Sequence, residues 1–275
     1  MGCATNTAID LKKIGMSVSI VGKIGDDGFG KFLYSSLSEE GVDVRGLKRD
    51  ANSNTSASMV LVSEDGERSF IHCLGSNATF CEEDIDYDII KESKILFVAG
   101  ALLMPNFDGE PTAKVLKWAQ ENEIYTVLDT AWDSTGRWIK AIGPCLPYLD
   151  LFMPSIEEAE MLTGKDDVDD MADIFLEMGA KNVVIKMGTQ GCFIKNAEEQ
   201  HEIPAFKVDA VDTTGAGDAF VAGFITGLLQ EWDLKKSGIF ANAVGAHCVM
   251  EMGASNGIKP LDEIIAFIVE QNGEF

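Results

Sequence analysis

Short apolar runs rich in β-branched residues alternate with amphipathic stretches along most of the chain. Val18–Val21, Ile95–Val98, Tyr125–Leu128, Leu149–Met153 and Val183–Lys186 read as buried strands, bounded by turn-forming residues. Between them, Gly28–Glu40, Pro111–Asn122, Ile156–Leu162 and Met171–Met178 carry apolar residues at helical spacing. This alternation predicts βαβ units, hence an α/β fold with a doubly wound, mostly parallel sheet flanked by helices. One segment breaks the rhythm. Ser56–Val62 alternates as a strand, Glu64-Asp65-Gly66-Glu67 is a polar turn, and Arg68–Cys73 reads as the return strand. The hairpin fits poorly inside a doubly wound sheet, so residues 52–76 are expected to form a small β lid on a single domain spanning 1–275. Val183–Lys186, Cys192–Lys195 and His201–Ile203 form a second group of strands linked by short turns. A helical block begins near Gly215, and Ala241–Met250 and Leu261–Val269 are apolar at helical spacing.

Composition narrows the setting. The chain has 275 residues, 46% hydrophobic and 24% charged, as expected of a globular domain. No apolar run reaches the roughly 18 residues that would span a bilayer. Met1–Asn6 lacks the basic start and apolar core of a signal peptide, which points to the cytoplasm. With 22 basic and 45 acidic residues the net charge is −23, which disfavours nucleic acid and anionic membrane as partners. An anionic ligand would need focused positive potential from helix N-termini, backbone amides or cations. Cys3, Cys73, Cys81, Cys145, Cys192 and Cys248 are scattered without a C-x-x-C pair and read as reduced, mostly buried thiols. His72, His201 and His247 share no metal-ligand spacing.

The chemistry concentrates in Val211-Asp212-Thr213-Thr214-Gly215-Ala216-Gly217-Asp218-Ala219-Phe220, between a strand ending near Val208 and the apolar helix Ala219–Leu229. A small-residue turn at a helix start gathers backbone N–H groups at the positive end of the helix dipole and forms an anion site. Asp218, in the first helical turn, stands where a carboxylate could take a proton from a hydroxyl attacking a bound phosphoryl group. The plainer alternative is that Thr213 or Thr214 caps the helix and Asp218 complements its dipole.

The same string, with Gly223-Phe224 after it, resembles the C-terminal signature of the ribokinase-like carbohydrate kinases of the phosphofructokinase-B type. Gly2-Cys3-Ala4-Thr5-Asn6-Thr7-Ala8, Leu11–Gly15 and Val21–Gly30 resemble the N-terminal signature, and the order agrees over essentially the whole chain. The resemblance implies ATP-dependent phosphorylation of a hydroxymethyl group on a small sugar or polyol, with Mg²⁺ on the phosphates. Asp218 would be the base, and the amides of Gly215, Ala216 and Gly217 the anion hole. Gly2, Asn6, Asn77 and Asp129 would contact the sugar. Gly188 and Gly191, in the turn Met187–Gly191, would lie with Thr214 on the nucleotide side. Asp212 and the Thr214 carbonyl would hold a monovalent cation, K⁺ being the candidate, with carbonyls near Cys248 and Gly253 completing its shell. Asp133 and Arg137 follow Asp129 in the same loop, Arg137 reading as a solvent-facing side chain. Lys186 reads either as a phosphate ligand or as a strand-end lysine facing solvent.

The sequence departs from the family pattern twice. The usual N-x-x-E appears as Ser155-Ile156-Glu157-Glu158, which is also a helix capping box. Ser155 is therefore read as a cap and Glu158 as a member of the magnesium network. Met1 also stands where the first glycine of the N-terminal signature belongs. The resemblance then implies that a first strand, ending in a sugar-binding aspartate, and part of the lid are missing. That predicts weak or absent sugar kinase activity with the nucleotide half retained. An unpaired sheet edge invites a second chain, and a homodimer through the lid is one assembly this leaves open. The rival readings are a nucleoside kinase with an aromatic slot from Phe70, Phe107 and Trp132, and a catalytically inert nucleotide-binding protein. A dinucleotide fold is excluded, because no G-x-G-x-x-G follows an early strand.

Overall fold

The computed structural model describes residues 2–62 and 68–275. Helix α1 (Cys3–Ile14) leads to β1 (Ser19–Gly25), α2 (Gly28–Glu39), β2 (Asp43–Asp50) and the hairpin β3 (Ala57–Val62) and β4 (Arg68–Cys73). The chain continues through α3 (Tyr87–Lys91), β5 (Ile95–Ala101), α4 (Glu110–Glu121), β6 (Tyr125–Thr130), α5 (Ile139–Ile142) and β7 (Leu151–Phe152). Then come α6 (Ile156–Thr163), α7 (Val168–Glu177), β8 (Asn182–Lys186), β9 (Cys192–Asn196) and β10 (Gln200–Ile203). Helices α8 (Ala216–Leu229), α9 (Leu234–Val249) and α10 (Leu261–Asn272) follow. None of the helices among the described residues is long and apolar enough to cross a membrane.

Six strands form one sheet in the order β10-β9-β8-β7-β6-β5. Strands β5 to β8 run parallel, and β9 and β10 return antiparallel. Successive side chains on a strand point to opposite faces, and here both faces are covered. Leu128, Phe152, Val183, Ile185 and Phe193 pack under α4, α6 and α7. Their neighbours Val127, Leu151, Val184, Cys192 and Ile194 pack under α1, α8, α9 and α10. That double burial is why these strands read as continuous apolar runs. Strand β7 is shorter than its apolar run; just before it, Thr126 and Asp150 bond each other's backbone through their side chains (2.8 and 3.0 Å).

The predicted early strand runs from Ser19 to Gly25 and pairs with β2 in a parallel sheet separate from the main one. Strand β5 is the outer strand of the main sheet at that end. The hairpin β3–β4 forms its own two-stranded antiparallel sheet, and its predicted turn Glu64–Glu67 lies outside the described residues. Asp27 ties it to the domain, accepting from Gly30 N at the start of α2 (2.7 Å) and from Thr55 N (2.8 Å). On α8, a methyl at Gly223 would come within 2.7 Å of the Ala241 Cα, so only glycine lets α8 seat this closely on α9.

Asp10 on α1 is an anomaly in this packing. It is fully buried, and among the described residues neither carboxylate oxygen has a hydrogen-bond partner. Burial pushes its pKa up to about 7, with the Ser255 hydroxyl beside it offsetting only part of the effect. The folded state then holds a proton that the unfolded state releases near pH 4. Stability is greatest below that pH and declines as pH rises through 7. Asp10→Asn should therefore raise the melting temperature at pH 8, by an equivalent of on the order of a few kcal/mol, and raise it by clearly less at pH 5. Equal shifts at both pH values in a thermal melt would contradict this.

Candidate active site

The C-terminal ends of β6 and β8 and the first turns of α1, α6 and α8 meet at a cleft of about 410 Å³. Ligands of open α/β sheets bind at such strand ends. The lining includes Cys3, Asp129, Trp132, Glu158, Lys186, Gly188 and the turn Gly215–Asp218.

Gly215 adopts φ 83°, and a Cβ there would lie 2.6 Å from both the carbonyl oxygen and the Cβ of Ala254. Only glycine fits this left-handed position against a neighbouring backbone. Ala219 N is the first amide to close a helical bond, onto Gly215 O at 2.8 Å. The amides of Gly217 and Asp218 precede it and have no helical acceptor, as at any helix start. Ala216 N differs from expectation: it bonds Thr213 O at 3.3 Å, closing the turn, so its share in an anion hole is smaller than that of Gly217. A Cβ on Gly217 would meet only Lys186 Nζ, 3.9 Å away, which leaves its outer side open.

Asp212 staples the turn from behind. Its carboxylate accepts from Thr214 N at 2.9 Å and from Gly253 N at 3.0 Å. The Cys248 thiol faces the carbonyls of Thr214 and Ala254, at 3.5 and 3.2 Å. The loop 253–255 and the turn 213–215 are thus fixed to each other.

Asp218 is oriented by α1. Asn6 Nδ2 donates to its Oδ2 at 2.7 Å, and the Thr7 hydroxyl donates to its carbonyl at 3.3 Å. Burial raises the Asp218 pKa above the ordinary carboxylate range, and Asn6 and Lys186 offset part of that rise. The Asn6 Oδ1 is buried without a hydrogen-bond partner among the described residues. Opposite, Lys186 Nζ pairs with Asp129 Oδ1 at 2.5 Å. Burial brings Asp129 up to about 7, against the pull of Lys186. Glu158 closes the floor. Its Oε2 accepts from Ser155 N (3.0 Å) and the Thr130 hydroxyl (2.8 Å), and Ser155 Oγ caps Glu158 N.

The sequence-predicted residues fall into two groups. Asp218, Gly215, Ala216, Gly217, Gly188, Asp129 and Glu158 line the cleft, and Asn6 touches it through Asp218. Gly2, Asn77, Gly191, Thr214 and Asp212 do not line it. Gly2 is the N-cap of α1, Asn77 sits in the short turn Gly75–Ala78, and Gly191 is buried against the Ile203 carbonyl. Arg137 is no solvated loop residue. It donates to Asp108 Oδ2 (2.9 Å) and Leu102 O (2.8 Å), while Asp133 accepts from the amides of Thr135 and Trp138. The aromatic slot does not assemble as expected, because Phe107 is buried in the core against Phe80. Trp132 is exposed at the cleft with its ring edge-to-face on Trp138, and the Phe70 side chain lies outside the described residues. Of the six thiols, Cys145, Cys192 and Cys248 are buried, Cys3 and Cys81 half-buried and Cys73 exposed. Cys3 was not anticipated in the cleft; its place beside Asp218 follows from standing three residues before Asn6 on the same helix.

The sequence profile of the "pfkB family carbohydrate kinase" matches residues 2–260. Probable fructokinase-5 of Arabidopsis thaliana is 30% identical over 268 residues, covering 92% of this chain and 83% of that protein. A ribokinase from Thermotoga maritima superposes with a TM-score of 0.86 at 30% identity, over 98% of this chain and 87% of that one. A putative ribokinase II from E. coli, solved in complex with ATP and Mg²⁺, gives 0.86 at 25% identity, over 98% and 89%.

Proposed function

This chain belongs to the pfkB family of carbohydrate kinases, and from that premise we propose that it transfers the γ-phosphoryl group of ATP to the hydroxymethyl oxygen of a small free sugar or polyol. The observation that carries the reading is the Asn6–Asp218 pair at the mouth of the 215–218 turn. The Gly217 and Gly215 amides, with the weaker Ala216 amide, receive the phosphoryl oxygens. Asp218 accepts the proton of the incoming hydroxyl as the new P–O bond forms and the bond to the ADP oxygen breaks. Its raised pKa suits that work, since a proton acceptor acts best when its pKa approaches the working pH. Asn6 and Asp129 bind other sugar hydroxyls, with Gly2 and Asn77 at the margin. Among the described residues the cleft lining holds one basic side chain, Lys186, which favours a free sugar over one already phosphorylated.

The residues fit a nucleotide carrying magnesium. Gly188 opens into space, with nothing within 4 Å of a Cβ there, and stands on the nucleotide side with Gly191 and Thr214 around the turn. Among the described residues no three His, Cys, Asp or Glu side chains form a metal cage. Mg²⁺ needs none, because it binds through phosphate oxygens, waters and one or two carboxylates, here Glu158. When bound it neutralises phosphate charge. Asp212 and the Thr214 carbonyl are the place for a monovalent cation, K⁺ in the first instance. The exposed Met59, Leu61 and Ile71 on the hairpin and Phe29 and Phe32 beside a groove of about 830 Å³ support a homodimer through the lid.

The test is a panel of ribose, fructose, ketodeoxygluconate and adenosine with Mg-ATP, following ADP release and the ³¹P signal of the product. A sugar phosphate ester is the expected product. Adenosine as the sole acceptor would favour the nucleoside reading, for which the exposed Trp132 ring supplies a stacking surface. Equal thermal shifts with Mg-ATP in the presence and absence of every acceptor, and no turnover, would overturn the kinase assignment for this chain.

A further inference from the structure

We propose that Lys186 is a catalytic residue, its ammonium hydrogen-bonding to the phosphoryl group in flight between ATP and the sugar. The inference rests on the kinase reading above and adds to it the source of side-chain positive charge at the reacting atoms.

Lys186 ends β8, and its side chain reaches across the end of β7 to Asp129 at the end of β6. The two side chains are 12% and 5% exposed, so the pair is withdrawn from water at the bottom of the cleft. A buried ion pair seldom adds stability over apolar packing, so its presence at a cleft suggests work other than folding. The ammonium carries three protons. One goes to Asp129, the bond the structure gives it, and two remain for oxygens of a ligand. The direction is set by Gly217, whose absent side chain leaves Nζ 3.9 Å from where a Cβ would stand. Gly217, at the start of α8, and the ammonium therefore line the same small cleft.

Charge makes the case stronger. The cleft is lined by Asp129, Glu157, Glu158 and Asp218, and Lys186 is the one cationic side chain among the described residues that line it. A phosphoryl group entering beside four carboxylates, in a chain of net charge −23, would be repelled without compensation. Burial alone would lower the Lys186 pKa, but Asp129, Glu158 and Asp218 outweigh it and hold the value above the ordinary one. The ammonium thus keeps its charge across the working pH range. It gives up no proton in the reaction. The bond from phosphorus to the ADP oxygen breaks, the bond to the sugar oxygen forms, the sugar proton passes to Asp218, and Lys186 balances the charge spread over the phosphoryl oxygens. Asp129 holds the amine in place and shares it with the substrate.

The competing explanation is that Lys186 only neutralises Asp129. A cycle of Lys186→Met, Asp129→Asn and the double variant separates the two, with kcat, KM and melting temperature measured at saturating Mg-ATP and sugar. Lys186→Met should lower kcat by about 10²-fold, the cost of removing one preorganised donor, with the sugar KM within about threefold. The same loss should appear when the double variant is compared with Asp129→Asn alone. If the double variant matches Asp129→Asn within threefold, Lys186 is a structural counterion and the proposal is overturned. Should Lys186→Met fail to fold, that second comparison decides alone, because the double variant leaves no charge of the pair buried without its partner. A wild-type chain that phosphorylates no acceptor would overturn the kinase reading and this proposal together. An active wild type with an unimpaired Lys186→Met would overturn this proposal only.

Discussion

Asp218→Asn is expected to lower kcat for sugar phosphorylation by about 10³-fold, the scale of a positioned proton acceptor, while the KM values of ATP and sugar stay within a few-fold. The substitution keeps size and shape, and the asparagine oxygen can still accept from Asn6 Nδ2, which holds the native carboxylate at 2.7 Å. What it removes is basicity. Neutral asparagine also relieves a half-buried carboxylate, so the variant should melt no lower than wild type. A coupled assay for ADP with saturating substrates reads the effect. Loss of less than about tenfold would mean that the proton leaves by another route.

The second large effect is expected at Gly215. Gly215→Val should lower kcat by about 10²-fold or more and reduce the melting temperature as well. Two causes act together. A β-branched residue at φ 83° carries strain of about 1–3 kcal/mol. Its Cβ would also fall 2.6 Å from the Ala254 carbonyl oxygen, a backbone neighbour that the Cys248 thiol and the Asp212–Gly253 bond hold in place. The turn must then open, and the Gly217 amide moves with it. Removing one preorganised donor to a developing charge costs about 10²–10³ in rate elsewhere. Normal turnover by a folded Gly215→Val variant would show that the turn's shape does not matter.

Much of this site was legible because its chemistry is local. The 212–220 string fixes the turn, the open amides and the carboxylate within nine residues, and Ser155–Glu158 declares its own cap. The strands were legible where both faces are buried, as in β6 and β8, since the signal is then a simple apolar run. What escaped was set by distance in the chain. Lys186 reads alone as either a phosphate ligand or a solvent-facing strand end; only the parallel order β8-β7-β6 brings it to Asp129, 57 residues away. Arg137 looks like a loop cation until Asp108, 29 residues before it, accepts its guanidinium. Asp10 is buried on α1 beside Ser255, which stands 245 residues further along the chain, so its burial could not be read from neighbouring residues. The Ala216 amide carries a detail the sequence does not show: it also bonds Thr213 O at 3.3 Å as the turn closes on itself.

The pH dependence of kcat, compared between wild type and Asp218→Asn, tests Asp218 as the proton acceptor most directly. A base must be ionised to act, and burial holds this one above the ordinary carboxylate value of about 3.9. The rate should therefore fall on the acid side with a midpoint above that value, and the residual rate of Asp218→Asn should lack that limb. An acid limb belonging to Asp129 would survive the substitution. A wild-type rate that stays flat down to pH 4, or an identical limb in both proteins, would contradict the account.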